Sequence, residues 1–174
     1  GVWAAVQFRR IIATKSRRSE NGLALFISVI IDAQKIKRER NLQRKELGIA
    51  VVGSGRIGTL RARLAAKHPS VGFLAISDQD PARARALAEQ TGADFHSGSN
   101  DEVIARPEVT AVFVSTPEGE HAAPVKKALE LGKPVLVEKP LALTLADADD
   151  ILETLRKTGG HLRVGYSRRF KECF

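Results

Sequence analysis

Short apolar runs alternate with helical segments from Leu47 to about Tyr166, and this alternation constrains the fold more than any other feature of the chain. Six runs predict strands, at 47–52, 71–76, 93–95, 109–114, 134–137 and 162–166. Most of them are apolar at every position, which is typical of a parallel sheet with helices on both faces. We therefore predict an α/β fold with a doubly wound, mostly parallel sheet over residues 47–167.

Apolar residues at helical spacing predict helices after the first, second, fourth and fifth strands. Ile57, Leu60, Leu64 and Ala65 recur at helical spacing and define the apolar stripe of the first helix. Asp80-Pro81 is a typical start for the second helix. Thr144, three residues before Asp147, is a typical cap for the last.

The first 46 residues differ from the rest in charge. They hold eleven Lys and Arg against four acidic residues, a net charge of +7, whereas residues 47–174 carry only +1. No aromatic interleaving or small-residue cleavage site accompanies this charge, and the apolar run 23–31 is about half the length of a membrane-spanning helix. We predict a basic extension outside the sheet, with no membrane span and no specific nucleic-acid partner. An export signal and a nucleic-acid-binding arm remain alternatives.

Cys173 is the sole cysteine, so we expect neither an internal disulfide nor a Cys-rich zinc site. A reducing, cytoplasmic location and a protein without a metal site follow as expectations. The chain contains no methionine and begins with Gly, which favours a fragment, a processed chain or a translation joined in mid-frame.

A glycine-rich turn, G-x-G-x-x-G, connects the first strand to the first helix. Gly53 permits the tight turn, Gly55 leaves room for a pyrophosphate, and Gly58 lets the helix pack close to the strand. Free N–H groups at the helix start favour the phosphates, and we count Arg56 and Ile57 among the contacts. The motif predicts a dinucleotide-binding domain of the Rossmann type, although a plain strand-to-helix turn is the alternative.

Asp78 ends the second strand, 20 residues after Gly58. A carboxylate there accepts hydrogen bonds from the adenosine ribose and repels a 2′-phosphate, which favours NAD over NADP. Asp78 could instead only cap the following turn. Arg56 weakens this inference about NAD, since it could contact the pyrophosphate or help to tolerate a 2′-phosphate.

Two polar loops follow the fourth and fifth strands, at the sheet edge where open parallel sheets bind ligands. Together with the glycine turn they resemble the Gfo/Idh/MocA family, which includes glucose–fructose oxidoreductase and inositol 2-dehydrogenase. The matching segments are the glycine turn, Asp78 with Asp80-Pro81, Thr116-Pro117 with His121, Gly132-Lys133-Pro134, Glu138-Lys139-Pro140-Leu141 and Gly165-Tyr166-Ser167-Arg168-Arg169-Phe170. The resemblance spans residues 47 to about 171 and none of 1–46.

The resemblance implies an oxidoreductase that transfers hydride between NAD(P) and a polyol, sugar or related secondary alcohol. In such an enzyme Thr116, Pro117 and His121 would line the dinucleotide, and Glu138 would lie near the nicotinamide ribose. Lys139 would be the catalytic residue, hydrogen-bonded to the reacting hydroxyl.

Members of this family continue into a second α/β domain that roofs the site and often forms the oligomer interface. Residues 168–174 would be its start, so the resemblance implies the cofactor-binding part of an enzyme. We expect no turnover by these 174 residues alone, and a homo-oligomer only with the second domain. The alternatives are a stand-alone NAD(H)-binding protein without catalysis and a nucleic-acid binder acting through residues 1–46.

Overall fold

The computed structural model describes residues 47–166, so the predicted basic extension and the predicted start of a second domain lie outside the described residues. The strands are β1 (Leu47–Val52), β2 (Val71–Ser77), β3 (Phe95–Ser97), β4 (Ala111–Val114), β5 (Val135–Val137) and β6 (Leu162–Val164). The helices are α1 (Arg56–Lys67), α2 (Pro81–Thr91), α3 (Asn100–Ala105), α4 (Ala122–Glu130) and α5 (Leu145–Thr158).

All six strands pair in parallel, in the order β3-β2-β1-β4-β5-β6. The chain builds outward from β1 to β3, then returns to the other side of β1 to begin β4. Val52 is in register with both Ser77 and Val114, so β1, β2 and β4 end at the same level. The loops after these three strands therefore meet where the strand order reverses, the usual ligand position in such sheets.

The predicted doubly wound α/β fold is confirmed, with an apolar layer on each face of the sheet. One layer joins β1 and β2 to α1 and α2 and contains Ile49, Val51, Ala62, Ala65, Leu74, Ile76, Leu87 and Ala88. The other joins β1, β4 and β5 to α3, α4 and α5, with Val112, Val114, Val125, Leu129 and Ile151 at its centre. The solid apolar runs of the sequence follow from this burial on both faces.

Helix α1 packs differently from the sequence prediction. Its buried residues are Gly58, Ala62 and Ala65, whereas Leu60 and Leu64 are 51% and 55% exposed. Small side chains on the inner face let α1 approach the sheet closely, which leaves no room for the leucines. Of the predicted stripe, Ala65 is buried, and the prediction was wrong for Leu60 and Leu64.

Helix α3 has no counterpart in the sequence analysis. Its cap is Ser99, whose hydroxyl accepts from the N–H of Glu102 at 3.3 Å. β3 also begins at Phe95 and not at Ala93, because α2 ends in a left-handed Gly92 and the chain needs two further residues to reach β2. Thr144 caps α5 as predicted, with its hydroxyl accepting from the N–H of Asp147 at 3.1 Å.

Candidate functional site

The first and third glycines of the turn after β1 are required by the backbone. Gly53 has φ +95°, and a Cβ there would lie 2.7 Å from the carbonyl oxygen of Ser115. A Cβ on Gly58 would lie 1.7 Å from the carbonyl oxygen of Gly53. Neither position accepts a side chain, since the obstructing atoms belong to the backbone.

The middle glycine is different. Gly55 has φ −68°, which any residue adopts, and the nearest atom to a Cβ placed there is Nη2 of Arg83, 3.9 Å away. The fold does not need glycine at this position, but a ligand approaching the backbone would. No side chain among the described residues caps α1, so the first N–H groups of this helix can receive an anion.

Asp78 lies directly beside this turn. Its side chain is 11% exposed; Oδ2 accepts from the N–H of Ser54 at 2.7 Å, and Oδ1 accepts from the N–H of Asp80 at 3.0 Å. The carboxylate therefore does stabilise the local turn, as the alternative interpretation held. Each carboxylate oxygen accepts more than one hydrogen bond, so capacity for ribose hydroxyls remains.

A cleft of about 440 Å³ opens over the turn and gathers most of the predicted cofactor residues. Its lining includes Gly53, Gly55, Arg56, Ile57, Asp78, Thr116 and Pro117. Thr116 contributes a buried hydroxyl oxygen with no hydrogen-bond partner within residues 47–166. Because a buried hydroxyl is costly to leave unpaired, a polar ligand in the cleft would supply this atom with a partner.

His121 does not line the cleft. It is 1% exposed, with Nδ1 2.8 Å from the carbonyl oxygen of Pro140 and Nε2 3.1 Å from that of Thr116. The ring thus joins the loop after β4 to the loop after β5. Direct contact between His121 and the dinucleotide stays a prediction.

Glu138 and Lys139 follow β5 and also lie outside the cleft lining. Glu138 Oε1 accepts from Nε and Nη2 of Arg61 at 3.0 and 2.6 Å, which ties the end of β5 to α1. Lys139 is exposed. Along the chain it lies between Glu138, which forms this ion pair, and Pro140, whose carbonyl oxygen contacts His121. The roles predicted for Glu138 and Lys139 stay predictions.

The cleft also contains residues that the sequence did not single out individually as cofactor contacts. Gln79, Arg83 and Asn100 were missed altogether, whereas Ser115 and Glu120 lie in the polar loop predicted after the fourth strand and Asp80 in the motif after Asp78. Gln79 Nε2 donates to Oε2 of Glu120 at 2.8 Å, which bridges the loops after β2 and β4. Position just after a strand was an available signal for Gln79, as it was for the loop that begins at Ser115. No local signal points to Arg83, because helix α2 carries a second exposed arginine, Arg85, only two residues away.

Lys133, within the Gly132-Lys133-Pro134 motif, has a structural role away from the cleft. Its Nζ donates to the carbonyl oxygens of Ile104 and Arg106 at 2.5 and 2.8 Å, at the end of α3. Burial lowers the pKa of the Lys133 ammonium, and the nearby Glu108 carboxylate partly opposes this. This part of the motif supports the fold and not the chemistry.

Comparison with known proteins agrees with this geometry. Residues 47–166 match the family model for the oxidoreductase family with an NAD-binding Rossmann fold, Gfo/Idh/MocA. A scyllo-inositol 2-dehydrogenase (NAD(+)) of Bacillus subtilis is 34% identical over 126 residues, which are 72% of this chain and 37% of that protein. A 2,7-anhydro-N-acetylneuraminate hydratase of Mediterraneibacter gnavus is 32% identical over 126 residues, 72% of this chain and 33% of that protein.

A solved structure shows the same arrangement. Myo-inositol dehydrogenase of Lactobacillus casei, in complex with NAD(H) and myo-inositol, superimposes with a TM-score of 0.67 at 29% identity. The match covers 72% of this chain and 38% of that one. The chain thus spans little more than a third of the length of these relatives.

The parallel sheet, the glycine turn and the carboxylate at the end of β2 define a dinucleotide-binding Rossmann domain. The chain belongs to the Gfo/Idh/MocA oxidoreductase family, whose domain of this type binds NAD. The open position at Gly55, the uncapped start of α1 and the unpartnered Thr116 hydroxyl fit that cofactor. Within residues 47–166, no helix is long and apolar enough to cross a membrane.

Proposed function

We propose that the chain supplies the cofactor half of an NAD-dependent dehydrogenase that acts on an inositol, another polyol or a sugar. The observation that carries this proposal is the placement of Lys139: an exposed lysine whose chain neighbours, Glu138 and Pro140, each contact another segment, at the sheet edge that also carries the cleft. The inositol dehydrogenases among its relatives support the substrate class.

The residues of the cleft would contact different parts of the cofactor. The turn at Gly55 and the N–H groups at the start of α1 would hold the pyrophosphate. Asp78 would accept hydrogen bonds from the hydroxyls of the adenosine ribose, and the hydroxyl of Thr116 would find its missing partner on the dinucleotide. When bound, NAD supplies the hydride acceptor.

Two contacts would hold the loop that carries Lys139. The Arg61 guanidinium binds Glu138 on one side, and the His121 ring binds the carbonyl of Pro140 on the other. Lys139 Nζ would then bind the oxygen of the reacting hydroxyl and hold the alcohol in position. Positioning of this kind contributes up to about 7–11 kcal/mol to lowering a barrier, so a fixed loop matters.

The second domain, from about residue 168, would supply the substrate pocket. We therefore expect no appreciable turnover by the 174 residues alone. The assay follows NADH absorbance with inositols and common sugars, first with this chain and then with any longer protein that its natural reading frame encodes. Because one relative is named a hydratase, the same mixtures are also analysed for water addition or loss.

Activity should appear in the longer protein and fall by about 10²–10⁴-fold in Lys139→Ala. Lys127→Ala, which changes a lysine on α4, is the matched control and should retain activity. Turnover that survives Lys139→Ala would refute the role of Lys139. Robust turnover by the 174 residues would refute the need for a second domain.

A further inference from the structure

A hydrogen bond between two side chains connects the loops that border the cleft. Gln79 Nε2 donates to Oε2 of Glu120 at 2.8 Å, and both residues line the cleft. Gln79 lies just after β2, whereas Glu120 lies in the loop after β4. Because β2 and β4 flank β1, the pair joins the two sides of the cleft, and the proposed function gives it no role.

The Glu120 carboxylate has unused acceptor capacity. Among residues 47–166, its Oε2 accepts only from Gln79, its Oε1 accepts no hydrogen bond, and no cation forms an ion pair with it. An ionised carboxylate accepts hydrogen bonds and donates none, and its two oxygens offer about four acceptor sites. A ligand that presents an N–H or O–H group to Glu120 would therefore find a free, charged acceptor.

The other two carboxylates that line the cleft have further partners. Asp78 accepts from two backbone N–H groups and lies 4.0 Å from Nε of Arg83. Asp80 caps α2 by accepting from the N–H of Ala82 at 2.9 Å. Glu120 differs from both, because its one partner in the described part of the chain is a neutral side-chain amide.

The adenine base of a bound dinucleotide would lie next to this pair. Asp78 would hold the hydroxyls of the adenosine ribose, and the base is joined to that same ribose. Gln79 directly follows Asp78, and its hydrogen bond brings Glu120 to the same side of the cleft. Glu120 would repel a phosphate, whereas the uncharged base presents its 6-amino group as a donor.

Resting on the dinucleotide site of the proposed function, we propose that Glu120 is a specificity-determining residue for the base: its carboxylate accepts a hydrogen bond from the 6-amino group of adenine. Gln79 is the positioning residue, because its amide holds Oε2 and leaves Oε1 free. A purine with a carbonyl oxygen at position 6, such as hypoxanthine, would bring that oxygen against the carboxylate. The resulting repulsion would disfavour such a base.

The test titrates the 174-residue chain with NADH and with reduced nicotinamide hypoxanthine dinucleotide, using calorimetry. The wild type should bind NADH about 10-fold more tightly, the effect of one hydrogen bond to a charged group at a site that solvent reaches. Glu120→Gln should bring this ratio to about 1, because an amide can present either an oxygen or an N–H group to the base. Gln79→Ala should give an intermediate ratio, since the carboxylate remains but is no longer held.

Glu118→Gln is the matched control, since Glu118 is an exposed glutamate of the same loop that lies outside the cleft lining. It should keep the wild-type ratio. The substitutions at Glu120 and Gln79 should leave the fold intact. The Gln79 side chain is exposed, and the local bond from the Glu120 backbone N–H to the carbonyl oxygen of Pro117, at 2.9 Å, does not involve the side chain.

Three results would overturn the inference. A wild-type ratio of 1, or a ratio that Glu120→Gln leaves unchanged, would overturn the role of Glu120 while the dinucleotide site stands. Equal tightening of both dinucleotides in Gln79→Ala and Glu120→Gln would show that the pair only obstructs the cleft. A wild type that binds neither dinucleotide would overturn the site of the proposed function as well.

Discussion

Gly55 is a position where we expect glycine to be required for cofactor binding and not for the fold. The Gly55→Val variant tests this by comparing stability with binding. Any residue adopts its φ of −68°, and the nearest atom to an added Cβ is 3.9 Å away. Replacing glycine at a compatible position stabilises a protein by about 0.4–1 kcal/mol, and loss of a good helix-cap residue costs a similar amount. The free energy of unfolding should therefore change by less than about 1 kcal/mol.

Binding should respond very differently. A valine side chain would fill the space above the start of α1 and keep the pyrophosphate from the N–H groups there. Loss of two charge-assisted hydrogen bonds, at about 1.5 kcal/mol each, weakens binding by about 150-fold. Calorimetric titration with NADH measures this loss, and urea unfolding measures stability on the same samples.

Gly58→Ala is the contrasting variant, because its Cβ would lie 1.7 Å from the carbonyl oxygen of Gly53. It should lose stability and binding together. Undiminished NADH binding by Gly55→Val would refute the placement of the pyrophosphate. A large loss of stability in Gly55→Val would show that the fold itself requires glycine there.

Three further predictions concern stability. Arg61→Ala should lower the free energy of unfolding in urea by about 1–3 kcal/mol, because the Glu138 side chain, 16% exposed, loses a partner at 2.6 Å; no change would contradict this. Hydrogen bonds from its own backbone N–H and from Arg106 hold the pKa of Glu108 below its ordinary value. The ionised Glu108 therefore stabilises the fold fully at any pH above its unfolded-state pKa, and this stabilisation is lost as the pH falls through its folded-state pKa. Glu108→Gln should therefore reduce the loss of stability below about pH 4, and an unchanged acid-unfolding curve would refute this. Deleting residues 1–46 should leave thermal unfolding cooperative, and a broad transition would show that the apolar run 23–31 belongs to the core.

The fold was predictable because β1, β4 and β5 are buried on both faces and therefore apolar at nearly every position. The glycine turn and Asp78 were predictable because their spacing is set by the backbone and by the length of α1 and β2. Helix α3 was missed because it has only six residues, although Ser99 and Glu102 have the spacing of a capping box.

The rest of the site depends on contacts between distant segments. Arg61 meets Glu138 across 77 residues, and no pattern in either neighbourhood encodes that pair. The same holds for Arg83 beside Asp78, which only the packing of α2 against the sheet brings together. Leu60 and Leu64 misled the prediction because helical spacing identifies a stripe but not the direction in which it faces.

The most direct test of the central claim is to map NAD(H) binding onto the chain by NMR. We predict that NADH binds in a single saturable step and that the backbone amide signals of Gly53, Gly55, Ile57 and Asp78 shift together during the titration. The signals of Lys133 and its contacts at the end of α3, remote from the cleft, should stay in place. Absence of any shift, or shifts confined to residues away from the glycine turn, would contradict the assignment of the cleft as the dinucleotide site.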